Sequence, residues 1–137
     1  MNVVPAMFSA TADGKGYAAA NTQRNKPNNV VVYEDVARFD PAQNKIVPVP
    51  IDLSIAGDEV FLLLYGTGLR FHSGLATITA QIGGLEAQVI YADRHASYVG
   101  VDQINIRLPS ELKGRGDVNV EVRIEGQTAN PVRIFIR

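Results

Sequence analysis

Apolar and polar residues alternate along most of this chain with a period of two, which is typical of β-strands that bury one face. The alternation is clearest in Val118–Ile124, and it returns at Val132, Ile134 and Ile136 near the C-terminus. Upstream, Gln103–Leu108 follows the same pattern until Pro109 ends it. We therefore expect each segment to form a strand with one face on a core and the other in water.

A glycine pair marks a hairpin in the middle of the chain. Gly83 and Gly84 separate two alternating runs, Ile78–Ile82 and Leu85–Tyr91. Glycine accepts the positive φ that the tight primed turns of hairpins require, so both glycines are predicted to be structural turn residues. The alternation favours a core position for Tyr91, although Tyr91 and Tyr98 also flank a loop and could form part of a ligand face.

The longest apolar run, Val60–Tyr65, does not alternate. Such a run predicts a central strand that is covered on both faces. Gly66 and Gly68 follow it, and we interpret them as a tight turn at the strand end. A dinucleotide-binding fingerprint would need a third glycine at the position that Phe71 occupies, so this function is not indicated.

The N-terminal half is less regular. Val30–Phe39 is predicted to be β-rich with a bulge near Glu34 and Asp35. The alternating stretch Val47–Leu53 contains prolines, which cannot donate to a ladder and therefore place it at a sheet edge. The polar stretch Asn21–Asn29 is predicted to be a loop.

No long helix is expected, because Ser110–Lys113 offers at most one helical turn. Nine or ten short strands separated by turns, with no linker between them, predict one all-β domain over residues 1–137, either a sandwich or a barrel.

Composition narrows the function classes. The 137 residues are 46% hydrophobic and 20% charged, which suits one globular domain with a real core. A net charge of -1 provides no attraction to nucleic acid or anionic lipid. Without cysteine there can be no disulfide and no thiolate metal site.

No apolar run approaches the roughly 20 residues of a membrane span, and the N-terminus has no signal-peptide pattern. The chain is therefore either cytoplasmic or a domain cut from a longer exported protein.

Candidate catalytic residues are scattered. His72 and His95 each stand alone in the sequence. We expect both to be ordinary loop residues and not metal ligands, unless folding brings the two together. Glu86, Asp93 and Asp102 could approach across strands, but their spacing does not define a glycosidase pair. No cofactor is predicted.

Two weaker signals concern loops. A calcium site built between strands stays open, because Asp13, Asp40 and Asp58 are each in or near a turn. Arg115–Asp117 is an integrin-type tripeptide, but its setting between glycines is that of an ordinary turn.

Several segments together resemble a bacterial C-terminal domain family that is abundant in Acidobacteria and named for Solibacter. The most specific is the Tyr-Gly-Thr-Gly-Leu sequence at 65–69, followed by Val99–Pro109. The similarity covers nearly the whole chain. The other matching segments are Pro5–Phe8, Gly14–Ala20, Val60–Leu64, Ile82–Gly84, Val89–Ala92 and Asn130–Ile134.

This resemblance implies an immunoglobulin-like antiparallel β-sandwich, similar to IPT/TIG domains, at the end of a longer and usually exported or cell-surface protein. The implied partners are preceding domains of the same chain or other surface proteins, and the family has no catalytic residues to carry over. The chain departs from the family between residues 21 and 50. It also departs at 93–97, where a charged loop makes Arg94, His95 and nearby Tyr98 a candidate ligand loop.

Three hypotheses follow. The leading one is a non-catalytic structural or interaction module of an exported or cell-surface bacterial protein. The second is a carbohydrate-binding or adhesion module that uses loop aromatics such as Tyr98, although the absence of Trp weakens it. The third is an enzyme whose acids or histidines are assembled only by the fold.

Overall fold

The computed structural model describes residues 4–137 and is all-β. Its ladders are antiparallel, and the described residues form no α-helix, only 3-10 turns at Leu75–Thr77 and Ser110–Leu112. The strands, in chain order, are β1 (Ala6–Met7), β2 (Ala20–Asn25), β3 (Val31–Asp35), β4 (Ala37–Asp40), β5 (Lys45–Pro48), β6 (Glu59–Thr67), β7 (Ile78–Ile82), β8 (Leu85–Ala87), β9 (Val89–Arg94), β10 (Asp102–Arg107), β11 (Gly116–Ile124), β12 (Gln127–Thr128) and β13 (Val132–Ile136).

Two sheets carry most of these strands. The first has the order β3-β2-β6-β10-β9, and β1 pairs with the far end of β6. The second has the order β12-β11-β7-β8, and β13 pairs with the first half of β11. β4 and β5 form a separate hairpin. After β6, β8 and β10 the chain passes from one sheet to the other.

One hydrophobic cluster joins the buried side chains of both sheets. β6 contributes Val60, Leu62 and Leu64, and β11 contributes Val120 and Val122. Removing a side chain of this size from water contributes about 1.5–3 kcal/mol, so the shared cluster is the main force that holds the sheets together. Its other large members include Ile82, Ile104, Ile106, Leu69, Leu112, Ile134 and Ile136.

The prediction of a central, doubly covered strand is confirmed in β6. It lies between β2 and β10, and Phe61 and Leu63 are buried as well as their inward-facing neighbours. Gly66, however, lies within the strand and not in a turn. Its φ is not positive, but a Cβ there would overlap the carbonyl of Ala6 in β1. Gly66 is thus required for the close approach of β1, and Gly68, with φ 73°, makes the turn.

Other turn predictions are confirmed. Gly83 and Gly84 connect β7 to β8 with φ values of 58° and 82°, and the turn at Ser110–Leu112 is present. The predicted strand count was too low, because residues 4–137 form thirteen short strands. The stretch Val47–Leu53 is not one strand, since β5 ends at Pro48 and Ile51 forms a separate bridge to Ile136.

The prediction of a loop at Asn21–Asn29 is wrong, because β2 occupies most of it. Thr22 and Arg24 are buried on the inner face, while Asn21, Gln23 and Asn25 are half-buried on the other. Polar residues on both faces hide the period of two. The strand forms because it pairs with β6 on one side and β3 on the other.

The prediction that Tyr91 lies in the core is also wrong, because its side chain is 38% exposed. The register between β9 and β10 shifts between Asn105 and Ile106, where Ile90 is the extra residue of a bulge. This irregularity reverses the alternation that runs from Leu85, so that Ala92 is buried in place of Tyr91.

Candidate functional site

Side-chain amides dominate the face of the first sheet that points away from the hydrophobic cluster. Pairing registers put Asn21, Leu63 and Asn105 side by side on β2, β6 and β10, and Tyr91 continues that row on β9. We call this surface the amide face. Its members are Asn21, Gln23, Asn25, Tyr33, Phe61, Leu63, Tyr65, Tyr91, Gln103 and Asn105, and by register Val31, Asp35, Glu59, Asp93 and Arg107 lie around them on the same side of the sheet.

Hydrogen bonds orient the amides. Gln103 Nε2 donates to Asn105 Oδ1 at 2.7 Å along β10. On β2, Gln23 Nε2 donates to Asn25 Oδ1 at 3.0 Å. These bonds run along the strands and orient the side chains on both sides of β6.

Tyr65 ties the central strand to β2. Its hydroxyl donates to Asn21 Oδ1 at 2.9 Å, and Asn21 Nδ2 donates in turn to Asp35 Oδ1 at 2.7 Å. Burial raises the pKa of the Tyr65 phenol, and the nearby Asp35 charge acts in the same direction. The phenol therefore stays neutral and remains a donor at physiological pH.

The predicted ligand loop joins one end of this face. The His95 ring lies 5.6 Å from that of Tyr65 and 4.8 Å from that of Tyr98. Its Nδ1 accepts hydrogen bonds from the backbone N–H groups of Ser97 and Tyr98, which fixes the bend of the loop. Tyr98 itself is 67% exposed. The three rings extend the amide face onto the loop.

An open cleft of about 480 Å³ adjoins this loop. Arg94 and Arg70 line it together with His95 and Tyr98. Arg70 is already committed, because its Nε donates to Asp102 Oδ1 at 2.6 Å, and this hydrogen bond raises the pKa of Arg70. Arg94, His95 and Tyr98 of the predicted ligand loop therefore line one cleft.

Asp102, His72 and His95 each make hydrogen bonds that hold parts of the fold in place. Asp102 is buried and also accepts the backbone N–H groups of Leu69 and Arg70, which fixes the turn after β6. His72 is bonded to the carbonyl of Ala92 at 2.7 Å, whereas His95 holds its own loop. The fold therefore gives the two histidines different partners.

The aspartates proposed for calcium are bonded to protein groups. Asp13 accepts from Thr11 at 2.6 Å, and these hydrogen bonds lower its pKa. Asp40 accepts from the Gln43 amide, and Asp58 from Arg24 and Lys26. Between residues 4 and 137, no three His, Asp or Glu side chains are grouped so that they could hold a metal ion.

The charged residues of the integrin-type tripeptide also form hydrogen bonds within the chain. Arg115 donates to the carbonyl of Gly83 at 3.3 Å. Asp117 accepts a hydrogen bond from the Tyr17 hydroxyl at 2.7 Å, and burial, together with this bond, raises the pKa of Tyr17. These contacts give both charged ends a structural role.

Sequence reasoning found the loop but missed the amide face. The missing signal lies in β2, where amide residues occupy every second position between Ala20, Thr22 and Arg24. This signal is weak by itself, because the alternate positions Thr22 and Arg24 are also polar and are buried only because the fold supplies their partners.

Comparisons of the chain with protein-family models, curated proteins and solved structures find no match. Over residues 4–137 there is no helix of the length and hydropathy that a membrane span requires. The fold and the site define the chain as an antiparallel all-β domain with an amide-rich sheet surface that continues into an aromatic loop.

Proposed function

We propose that this chain is a non-catalytic interaction module with an immunoglobulin-like β-sandwich fold, carried by an exported or cell-surface bacterial protein. The amide face and the loop at 95–101 are its binding surface. The observation that carries the proposal is the continuous surface from Tyr33 to Tyr98, which combines exposed aromatic rings with pre-oriented amides.

The sandwich assignment is supported by the shared core and by the strand connections. Antiparallel strands that cross repeatedly between two sheets over one core are typical of immunoglobulin-like domains. The two most specific segments of the family resemblance also pair in register, with Asp102 of β10 opposite Gly66 of β6.

The binding assignment is supported by exposure. Tyr33 is 63% exposed and Tyr98 is 67% exposed, and both belong to a surface whose polar groups are held by hydrogen bonds. Tyrosine is enriched at recognition surfaces because it presents a large amphipathic area with few rotatable bonds. The non-catalytic assignment is supported by the structural engagement of Asp102, Asp58 and His72.

The test compares retention of purified domain on a washed bacterial cell-envelope fraction. We expect retention of the native domain and loss of retention in the double variant Tyr33→Ser/Tyr98→Ser. Phe39→Ser is the matched control, because Phe39 is a 54% exposed aromatic residue on β4, outside the surface. Retention of the control and loss in the double variant would support the proposal.

No retention of the native domain, or equal retention of all three proteins, would overturn the binding surface. A separate measurement addresses the absence of catalysis. The domain is incubated with the same envelope fraction, and we expect no release of reducing sugar ends or of new amino groups. If the native domain releases such groups and the double variant does not, the non-catalytic assignment is contradicted.

A further inference from the structure

We propose that the ligand of the amide face is a neutral polysaccharide chain that lies across the strands of the first sheet. This inference rests on the proposed function, since it names the chemical class that the same surface would take. It places the ligand on the sheet and not on the loop alone. The assignment rests on the amides at the centre of the face, the aromatic rings at its edges and the charges around it.

The centre of the face offers unused hydrogen-bonding groups. Gln103 Nε2 and Asn105 Oδ1 are bonded to each other, while Gln103 Oε1 and Asn105 Nδ2 have no protein partner among residues 4–137. Gln23 and Asn25 form the equivalent pair on β2. An amide both donates and accepts, so neighbouring amides can satisfy the hydroxyl groups of a sugar, which also do both.

Aromatic rings stand at both edges of the sheet. Tyr33 lies on β3 in register with Gln23, and Tyr91 lies on β9 in register with Asn105. The C–H face of a pyranose ring is apolar and packs on an aromatic ring. The Tyr91 hydroxyl is held at this edge because it donates to the carbonyl of Arg94 at 2.7 Å. Five strands at the usual spacing span roughly 19 Å, which is the length of a short oligosaccharide.

The charges favour a neutral ligand. Arg107 flanks the centre, but its guanidinium lies 3.3 Å from the carboxylate of Glu59. Asp35 and Asp93 are at the edges, and Asp35 is bonded to Asn21. An acidic polymer would meet these carboxylates on the strands of the face, where the cation Arg107 is already paired, while Arg94 lies at the cleft beside the loop.

The burial of the apolar residues favours a sugar over a protein. Protein interfaces depend on apolar and aromatic anchors at their centre. Here the central Phe61 and Leu63 are only 9% and 5% exposed, so they offer a partner little apolar area. The accessible centre consists of amides, and the aromatic area lies at the edges.

The experiment is affinity electrophoresis of the whole domain in gels that contain a neutral β-glucan, xylan or galactomannan, with alginate as the acidic comparison. We expect retardation by at least one neutral polysaccharide and none by alginate. The double variant Gln23→Ala/Asn105→Ala should bind at least roughly tenfold more weakly, because two central contacts are lost.

The matched control is Gln81→Ala/Asn119→Ala, which removes the same side-chain types from exposed positions on the second sheet. It should bind like the native domain, and thermal unfolding should confirm that both double variants fold. Titration with oligosaccharides should show affinity that increases up to a length of about 19 Å and then levels off.

The inference is overturned if no neutral polysaccharide retards the native domain, or if the amide double variant binds as the native domain does. In a third outcome, no polysaccharide binds the domain, and protease treatment of the cell envelope abolishes retention. This outcome would overturn the polysaccharide proposal but not the interaction module. Failure of both assays would overturn both proposals.

Discussion

The hydroxyl of Tyr65 on β6 donates a 2.9 Å hydrogen bond to Oδ1 of Asn21 on β2. The bond joins the central strand of the first sheet to its neighbour, next to the ring of His95. A tyrosine hydroxyl is thereby held within the amide face, and the loop ring is packed on the same tyrosine.

Tyr65→Phe should lower the free energy of unfolding by about 0.5–1.5 kcal/mol, because it removes one partly buried hydrogen bond and keeps the ring. Denaturant unfolding measures the change. The contact with His95 involves only the ring and should persist, so the chemical shifts of the loop at 95–101 should stay close to those of the native domain. Large shifts in the loop would show that the hydroxyl, and not the ring, positions it.

Asp102→Ala should be strongly destabilising, by about 3 kcal/mol, because it leaves the Arg70 guanidinium and two backbone N–H groups without their acceptor. Asp93→Asn is the control, since Asp93 is exposed on the neighbouring strand and should change stability by no more than about 0.5 kcal/mol. Equal and small effects in urea unfolding would refute a structural role for Asp102.

Gly66→Ala should cost about 3 kcal/mol or more, because the new methyl group would displace β1 from β6. Gly84→Ala should cost about 1–2 kcal/mol, from its positive φ alone, since no atom lies within 4 Å of the added group. Hydrogen exchange distinguishes the causes. The Phe8 amide, which donates to the Tyr65 carbonyl, should lose protection only in Gly66→Ala.

Acid should destabilise the domain partly through Asp58. Burial raises the pKa of this carboxyl, but hydrogen bonds from Lys26 and Arg24 outweigh it and hold the pKa below its ordinary value. A lowered folded pKa stabilises the fold above the unfolded value of about 3.9, and this stabilisation is lost as the pH falls through the folded value.

Asp58→Asn should therefore have a lower melting temperature at pH 7 and a smaller further decrease below about pH 4. Glu121→Gln, at an exposed position on β11, serves as the control and should follow the native curve. Melting temperatures measured from neutral to acidic pH give the comparison. Parallel curves for Asp58→Asn and the native domain would contradict the assignment.

The sequence alone determined several strands whose apolar pattern is uninterrupted. Val118–Ile124 and Val60–Leu64 carry their burial in their own pattern, because alternation or an unbroken apolar run has few other uses in a short segment. It also identified the turn at Gly83 and Gly84 and the candidate loop with His95 and Tyr98. These are local properties, set by side-chain chemistry and backbone conformation.

Only the tertiary structure decided which segments meet. β2 is a strand because β6 and β3 supply its hydrogen bonds, and its buried Arg24 is acceptable because Asp58 lies 3.1 Å away. Tyr91 is exposed because a bulge beside β10 reverses its alternation. The amide face combines residues more than 80 positions apart, such as Asn21 and Asn105. Strand pairing is a long-range choice, so no local pattern could place these side chains on one surface.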